Sequence, residues 1–348
     1  VEIKFFDSQG MDLDKPAERK IENTFFREDF RRVYLDEIGS IVVDQQAAES
    51  YVQAFMGAAN VEAIRQASFK LVIDYSHASS ALLFPNILNQ LGCEVVAINS
   101  TVDELRMFRT AEQFEYELNQ LAAITQTLHF DFGVRIDLGG EKIFVVDGRG
   151  RRLSRMSAFG VMAALYLRAH PGAKIAAPVT APRLFEQLAR AHGSEVIRTR
   201  VAAQGLTAAA TSHQVGLAGD GDGGFIFPAF LPAFDSMLAI ARLMELLASS
   251  QARLEDVADA LPPFFLSSTE VSCPWDMKGK VMRVLSEQFR VPDDQQVDGI
   301  KINFDDAWVL ILPDADRPLF RVLAEGRDRA HADALAAEYS NVVKSLNS

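Results

Sequence analysis

Apolar positions along this chain fall into runs of two lengths. From Phe69 the segment Lys70-Leu71-Val72-Ile73-Asp74 is almost unbroken and rich in β-branched residues. A helical stretch from Leu82 to Leu91 follows it, and a second run, Glu94-Val95-Val96-Ala97-Ile98, closes the group. That order reads as strand, helix, strand. A strand that follows a crossover helix in one sheet lies parallel to the first and is buried on both faces, which accounts for the lack of polar alternation. The plan returns at Lys174-Ile175-Ala176-Ala177-Pro178-Val179, with a helix from Pro182 to Ala191 and a run Glu195-Val196-Ile197-Arg198-Thr199. Two copies of one plan predict two related α/β domains rather than one large sheet. Between them, Asp131 to Asp147 predicts two strands around a turn at Gly139-Gly140.

The pattern changes toward the C-terminus. Strand-like Gly299 to Phe304, Trp308 to Leu312 and Phe320 to Ala324 precede a helix from Ala330 to Leu346, which predicts a small α+β domain. At the other end, Ile3 to Phe6 predicts a strand. A helix is expected to start at Asp14 or Lys15-Pro16 and to continue from Glu18 to Phe30, and a later one covers Ala47 to Met56.

Composition narrows the function classes. With 348 residues, 49% hydrophobic and 24% charged, the chain has the make-up of a globular protein of more than one domain. A net charge of −12 argues against nucleic acid, whose backbone calls for clustered Lys and Arg. The longest apolar stretches, Ala158 to Leu167 and Leu238 to Ala248, are too short to span a bilayer, so no membrane association is expected. Cys93 and Cys273 are the two cysteines, with neither zinc-site nor disulfide-framework spacing, and a reducing cytoplasm fits best. The start, Val1-Glu2-Ile3-Lys4, has neither an initiating Met nor a signal sequence, and is expected to continue a longer protein.

At Val72-Ile73-Asp74-Tyr75-Ser76-His77-Ala78-Ser79-Ser80-Ala81 through Leu91-Gly92-Cys93-Glu94-Val95 the sequence resembles the opening of the second domain of α-D-phosphohexomutases, the phosphomannomutases and phosphoglucomutases. The resemblance continues in order through Phe132 to Val146, Val215 to Pro228 and Asp298 to Ala324. It implies an α/β fold with two related α/β domains, a partial first domain and a small C-terminal α+β domain. The implied division is 1–67 for the remnant of the first domain, 68–153 for the second, 154–269 for the third and 270–348 for the last.

Four parts serve the reaction in that family, and each is altered here. The phosphoserine loop Thr-Ala-Ser-His-Asn-Pro has no counterpart; Ser76-His77 reads as a strand-to-helix loop. The metal loop Asp-Gly-Asp-x-Asp-Arg corresponds to Asp137-Leu138-Gly139-Gly140-Glu141-Lys142. This leaves Asp137 and Glu141 as degenerate metal ligands and Mg²⁺ as the candidate cofactor. The sugar loop Gly-Glu-x-Ser-Gly-His corresponds to Gly219-Asp220-Gly221-Asp222-Gly223-Gly224, with Asp220, Asp222 and Gly223 as degenerate substrate-binding positions and Gln204 where the family has Lys. The phosphate loop Arg-x-Ser-x-Thr-x-Pro corresponds to Leu312-Pro313-Asp314-Ala315-Asp316-Arg317-Pro318, so Pro313, Asp314 and Asp316 face a phosphate with carboxylates in place of hydroxyls. Such carboxylates repel a dianion by several kcal/mol. Arg317 is expected to point the other way along an extended segment.

Asp314-Ala315-Asp316, together with Lys20-Ile21-Glu22-Asn23 and Arg27-Glu28-Asp29-Phe30-Arg31-Arg32, resembles the mutase-like module attached to sugar nucleotidyltransferases of the mannose-1-phosphate guanylyltransferase type. The resemblance implies a catalytically degenerate module of nucleotide-sugar synthesis, with no catalytic residue of its own. The partners implied are a nucleotidyltransferase domain or subunit, a sugar phosphate and further copies of the chain. The competing reading is a working mutase that interconverts hexose 1- and 6-phosphates, with Asp137, Glu141 and Lys142 at a metal centre. A hydrolase built on Ser76 and His77 has no third partner and no Gly-x-Ser-x-Gly motif. Three smaller features carry expectations. Phe25, Phe26 and Phe30 should pack inward with their neighbouring charges in water. Arg149, Arg151 and Arg152 should form a solvated linker. Phe225, Phe227, Phe230 and Phe234 should be core or an interdomain contact.

Overall fold

The computed structural model describes the chain except residues 1, 2, 4, 9, 14, 41–44, 108, 291–296 and 347–348. Helices α1 (Lys15–Phe26), α2 (Gln45–Ala58) and α3 (Val61–Ala67) lead into a first α/β unit. That unit runs β1 (Lys70–Asp74), α4 (Phe84–Gln90), β2 (Glu94–Ile98), α5 (Glu104–Met107), α6 (Ala111–Leu128), β3 (Phe132–Ile136) and β4 (Ile143–Asp147). The second unit contains α7 (Arg155–Ala169), β5 (Lys174–Pro178), α8 (Leu184–Ala191), β6 (Glu195–Thr199), α9 (Ala203–Ser212), β7 (Val215–Gly219), β8 (Phe225–Ile226), α10 (Ser236–Ser250) and α11 (Leu254–Asp259). Last come β9 (Phe265–Ser272), α12 (Trp275–Phe289), β10 (Ile300–Asn303), β11 (Trp308–Pro313), β12 (Leu319–Gly326) and α13 (Arg329–Leu346).

The two α/β sheets repeat one topology. In the first the order is β2-β1-β3-β4, and in the second β6-β5-β7-β8. The central strand pairs parallel with both neighbours in each, and the edge strand turns back antiparallel through a hairpin. Two covered faces explain the unbroken apolar runs of the central strands β1 and β5, whereas β2 and β6, expected to be buried on both faces, lie at sheet edges and are only partly buried. Leu71 and Ile73 enter the main core, whereas Val72 joins Leu118, Leu121, Phe130 and Val146 on the α6 side. Likewise Ile175 and Ala177 enter the main core, and Ala176 packs with Leu206, Ala209 and Ala210 of α9. That main core is continuous between the units. It joins Leu71, Phe132 and Val145 to Phe159, Ile175 and Leu217, with Leu238 to Leu247 of α10 completing it.

The C-terminal sheet is antiparallel throughout, in the order β10-β11-β12-β9. Val309 and Ile311 face α12 and α13 through Val281, Leu285, Ala336 and Val343, whereas Trp308, Leu310 and Leu312 face Val179 of the second unit. Its edge strand begins at Phe265 and pairs with β12 along its whole length, ahead of the start expected at 270.

The N-terminal segment departs from expectation. Among the described residues, Ile3 to Phe6 yields only a bridge between Phe6 and Asp12. The first helix ends at Phe26 rather than Phe30, because Glu28 takes a left-handed φ of 53° and Asp29 donates to the Thr24 carbonyl. Phe25, Phe26 and Phe30 are 65%, 80% and 51% exposed, so they do not pack inward. In contrast, Phe55 of α2 and Ile64 of α3 are buried in the main core.

Candidate functional site

Three hairpin turns occupy matching places, between β3 and β4, β7 and β8, and β11 and β12. These are the segments that the sequence singled out. In the first turn the Asp137 N–H donates to the Lys142 carbonyl at 3.0 Å, and Asp137 Oδ1 accepts the N–H groups of Glu141 at 2.7 Å and Lys142 at 2.9 Å. The turn is held against the start of α10, where Ser236 donates both its N–H and its hydroxyl to the Gly140 carbonyl. Asp137 and Glu141 are the carboxylates this turn can offer a cation. Among the described residues, no group of three or more His, Cys, Asp or Glu side chains converges as metal ligands would.

The second turn closes directly onto the first. Asp220 Oδ1 accepts the N–H groups of Asp222 and Gly224, and the Ile143 N–H donates to the Gly223 carbonyl at 2.9 Å. Gly223 has φ +101°, and a Cβ there would lie 2.7 Å from the Ile143 carbonyl oxygen. At Gly224 a Cβ would lie 2.8 Å from both Asp220 Oδ2 and Phe234 Cδ1, so a larger side chain does not fit the turn as folded. Lys142 spans the junction, its Nζ 2.6 Å from Asp222 Oδ2 and 3.5 Å from Asp220 Oδ2. Arg155, the first residue of α7, pairs with the other oxygen of Asp222 while its guanidinium lies 5.2 Å from the Phe144 ring centre.

The charges divide accordingly. Burial lifts the Asp220 carboxyl above the usual range, an effect that Lys142 only partly offsets. Burial also works to raise Asp222, but Lys142 and Arg155 outweigh it and hold that carboxyl below its usual range. Lys142 is held above its ordinary value, since Asp222 and Asp220 outweigh its desolvation. The cluster is thus two carboxylates closed around two cations.

The third turn is held within its own sheet. Asp314 is 6% exposed, and its Oδ1 accepts the N–H groups of Asp316 and Arg317 at 3.0 Å each. The chain turns here rather than extending, so Arg317 does not point away: its guanidinium returns to 3.2 Å from Asp314 Oδ2 and 2.7 Å from Glu270. Arg321 lies 3.3 Å from Asp314 Oδ2, and Lys278 Nζ donates to the carbonyls of Asp314 and Arg317 at 2.6 Å. Burial would raise the Asp314 carboxyl, but these N–H groups and cations outweigh it and depress it. Asp316 is exposed and Pro313 ends β11.

The loop after β1 is unusual in its backbone. Ser76 and His77 are both buried and both left-handed, with φ of 54° and 60°. Ser76 Oγ donates to the Ile136 carbonyl at 2.6 Å and His77 Nδ1 meets the Thr101 carbonyl at 2.9 Å, so neither is arranged as a nucleophile with its base. Asp74, fully buried beneath them, pairs with Arg135 at 2.7 Å, and Arg135 also reaches Glu117 at 2.7 Å. Sequence reasoning missed Arg155, Lys278, Arg321 and this buried network. The basic cluster is also more than a solvated linker: Arg149 and Arg151 pair with Asp259 at 2.8 and 2.7 Å, and Arg152 pairs with Glu115.

Comparison with known proteins gives this geometry its setting. Residues 49–150 match the family model "Phosphoglucomutase/phosphomannomutase, alpha/beta/alpha domain II", and residues 157–265 match "alpha/beta/alpha domain III" of the same series. A phosphoglucomutase/phosphomannomutase of Thermococcus kodakarensis is 30% identical over 332 residues, which cover 95% of this chain and 72% of that protein. The chain belongs to the α-D-phosphohexomutase family. A phosphoglucosamine mutase of Methanocaldococcus jannaschii is 26% identical to this phosphohexomutase family member over 98% of the chain and 77% of the relative. The fold agrees with the crystal structure of a phosphoglucomutase/phosphomannomutase family protein from Burkholderia thailandensis, at a TM-score of 0.77 and 20% identity over 96% of this chain and 71% of that one. No helix of this phosphohexomutase family member, among the described residues, is long and apolar enough to cross a membrane.

Proposed function

We propose that this chain is a phosphohexomutase-like module whose phosphoryl-transfer chemistry is lost. It serves beside a sugar nucleotidyltransferase of the mannose-1-phosphate guanylyltransferase type in a structural or sugar-phosphate-sensing role. The observation that carries the reading is the closure of the first two turns on each other by Lys142, Arg155, Asp220 and Asp222. Lys142, which follows the metal-loop position Glu141, carries its ammonium onto the two carboxylates of the sugar loop, Asp220 and Asp222. Asp137 already accepts two backbone N–H groups, and Gly139 brings no ligand. This donor set does not suit Mg²⁺. Where the family resemblance puts a phosphate, the turn instead holds the Asp314 carboxylate, paired with Arg317 and Arg321.

A second reading is a working mutase, supported by relatives that are named as mutases across most of the chain. Calorimetric titration with mannose 1-phosphate, glucose 6-phosphate and glucosamine 6-phosphate, each with and without Mg²⁺, separates the two. We expect no Mg²⁺-dependent binding of any of them. Micromolar binding that requires Mg²⁺ would favour the working mutase and refute the closed-site argument.

A further inference from the structure

Away from the three turns, a cavity of about 600 Å³ lies between α8 and the C-terminal sheet. Its lining includes Arg183, Glu186, Arg190, Arg198, Lys301 and Trp308, which come from both the second α/β unit and the C-terminal unit. Four basic side chains line the cleft against the two carboxylates of Glu186 and Asp305, an excess of two basic residues in a chain whose net charge is −12. The excess is local and arises from the placement of a few residues rather than from composition.

These cations differ in what already holds them. Arg198 is paired with Glu186 through two contacts of 2.7 Å and donates further to the carbonyls of Pro178, Ala181 and Pro182. Arg183 donates to the carbonyls of Phe304, Asp305 and Ala307, which fix its position without cancelling its charge. Lys301 donates to the Val179 carbonyl at 2.8 Å and stands 4.1 Å from the ring centre of Trp308. Arg190 is exposed in the last turn of α8, on the same cavity wall. Trp308 forms an apolar floor, completely buried, with its indole N–H on Glu325.

We propose that this cleft binds a phosphate-type dianion, either a free oxyanion or a phosphomonoester, held by Lys301 and Arg190 with Arg183 as a fixed positive wall. The physical case is a charge imbalance in a partly desolvated site: cations without enough counter-ions are stabilised most by an anion that brings two charges and several acceptor oxygens. Burial, then the neighbouring Arg198 and Arg183, push the Lys301 ammonium down to about 7, and Glu186 and Glu325 do not restore it. A dianion against Lys301 would keep it charged. Because the lining comes from both units, an occupied cleft would also tie the C-terminal sheet to α8. None of Asp137, Glu141, Asp220, Asp222 or Asp314 lines it, so the site is separate from the turns and independent of the reading proposed for them.

Trp308 supplies the assay. In a Trp275→Phe background it is the remaining tryptophan, and its emission can be followed while sulfate, inorganic phosphate or glycerol 2-phosphate is added at constant ionic strength, without Mg²⁺. Sulfate does not titrate in this range, so its affinity should fall about tenfold from pH 6 to pH 8 as a lysine that titrates near 7 loses its proton. Lys301→Met should remove this pH dependence, and Arg190→Gln, at an exposed position, should weaken sulfate several-fold without lowering the unfolding temperature. Inorganic phosphate bound more tightly than glycerol 2-phosphate would identify a free oxyanion as the ligand, and the reverse order a phosphomonoester. An emission change no greater than that of matched chloride, or sulfate affinity unaltered in Arg190→Gln, would overturn the assignment.

Discussion

Replacing Arg135 by Met tests the buried charge network beneath the loop that follows β1. Arg135 is 3% exposed and its guanidinium meets two carboxylates at 2.7 Å, Asp74 below and Glu117 beside it, while Arg109 holds the far oxygen of Glu117 at 2.6 Å. Asp74 is fully buried, and without Arg135 the donors it keeps among the described residues are the Ser76 N–H and the Asn99 amide. Leaving a buried carboxylate without its cation costs about 3–5 kcal/mol. With urea slopes of about 1–3 kcal/mol per molar, the transition of this region should move down by at least about 1 M. The double variant Asp74→Asn/Arg135→Met removes both charges and should recover more than half of the loss, because the main cost is the orphaned charge rather than the lost pair. Urea unfolding followed by circular dichroism reads both. A loss below about 1 kcal/mol in Arg135→Met, or no recovery in the double variant, would refute the claim that the network is closed and desolvated.

Gly216→Ala should destabilise the protein by about 1–3 kcal/mol, since the new Cβ would lie 1.8 Å from the Tyr166 hydroxyl, and adding Tyr166→Phe should restore part of the loss in thermal unfolding. Tyr51 donates to Asp235 at 2.8 Å and so ties α2 to the N-cap of α10; Tyr51→Phe should cost about 1–3 kcal/mol by chemical denaturation. Burial raises the Asp235 carboxyl, so its contribution to stability is present below the unfolded value and is lost as pH rises through the raised folded value. Asp235→Asn, compared with the parent by urea titration, should flatten that decline. Burial pushes the Cys93 thiol up to about 11 and also raises Cys273, so neither should be alkylated by iodoacetamide at pH 8 in the native protein, and both should react in urea.

The strands legible in the sequence are those written as short apolar runs, whether central, as β1 and β5 are, or at a sheet edge, as β2 and β6 are. β1, β2, β5 and β6 announce themselves as apolar runs, and their order forced the parallel pairing that the sheets show. β9 gave no such signal, because the middle of Phe265-Leu266-Ser267-Ser268-Thr269-Glu270-Val271-Ser272 is a polar run, and pairing with β12 along its whole length sets it in the sheet. Motif order places the turns and aligns Asp137 with the first Asp of the metal loop and Lys142 with its Arg. That Lys142 and Arg155 close on Asp220 and Asp222 could not be read locally, because those partners come from separate hairpins that only the shared core brings together. Arg317 was misjudged for a related reason: alternation along an extended strand does not apply where Asp314 gathers the next backbone N–H groups into a turn.

The continuous core has a consequence for synthesis. Leu71, Ile73 and Phe132 belong to the same apolar cluster as Leu238, Ile240 and Leu247, which lie far later in the chain. As the polypeptide leaves the ribosome, the first sheet can form its ladder and cover its α6 face at once, yet its opposite face must wait, partly bare, until α10 has emerged. Contacts so distant in sequence are slow to form, and an apolar face that waits on them is open to nonspecific association. The first α/β unit is therefore no freestanding module in the order of its making, although its topology alone would suggest one.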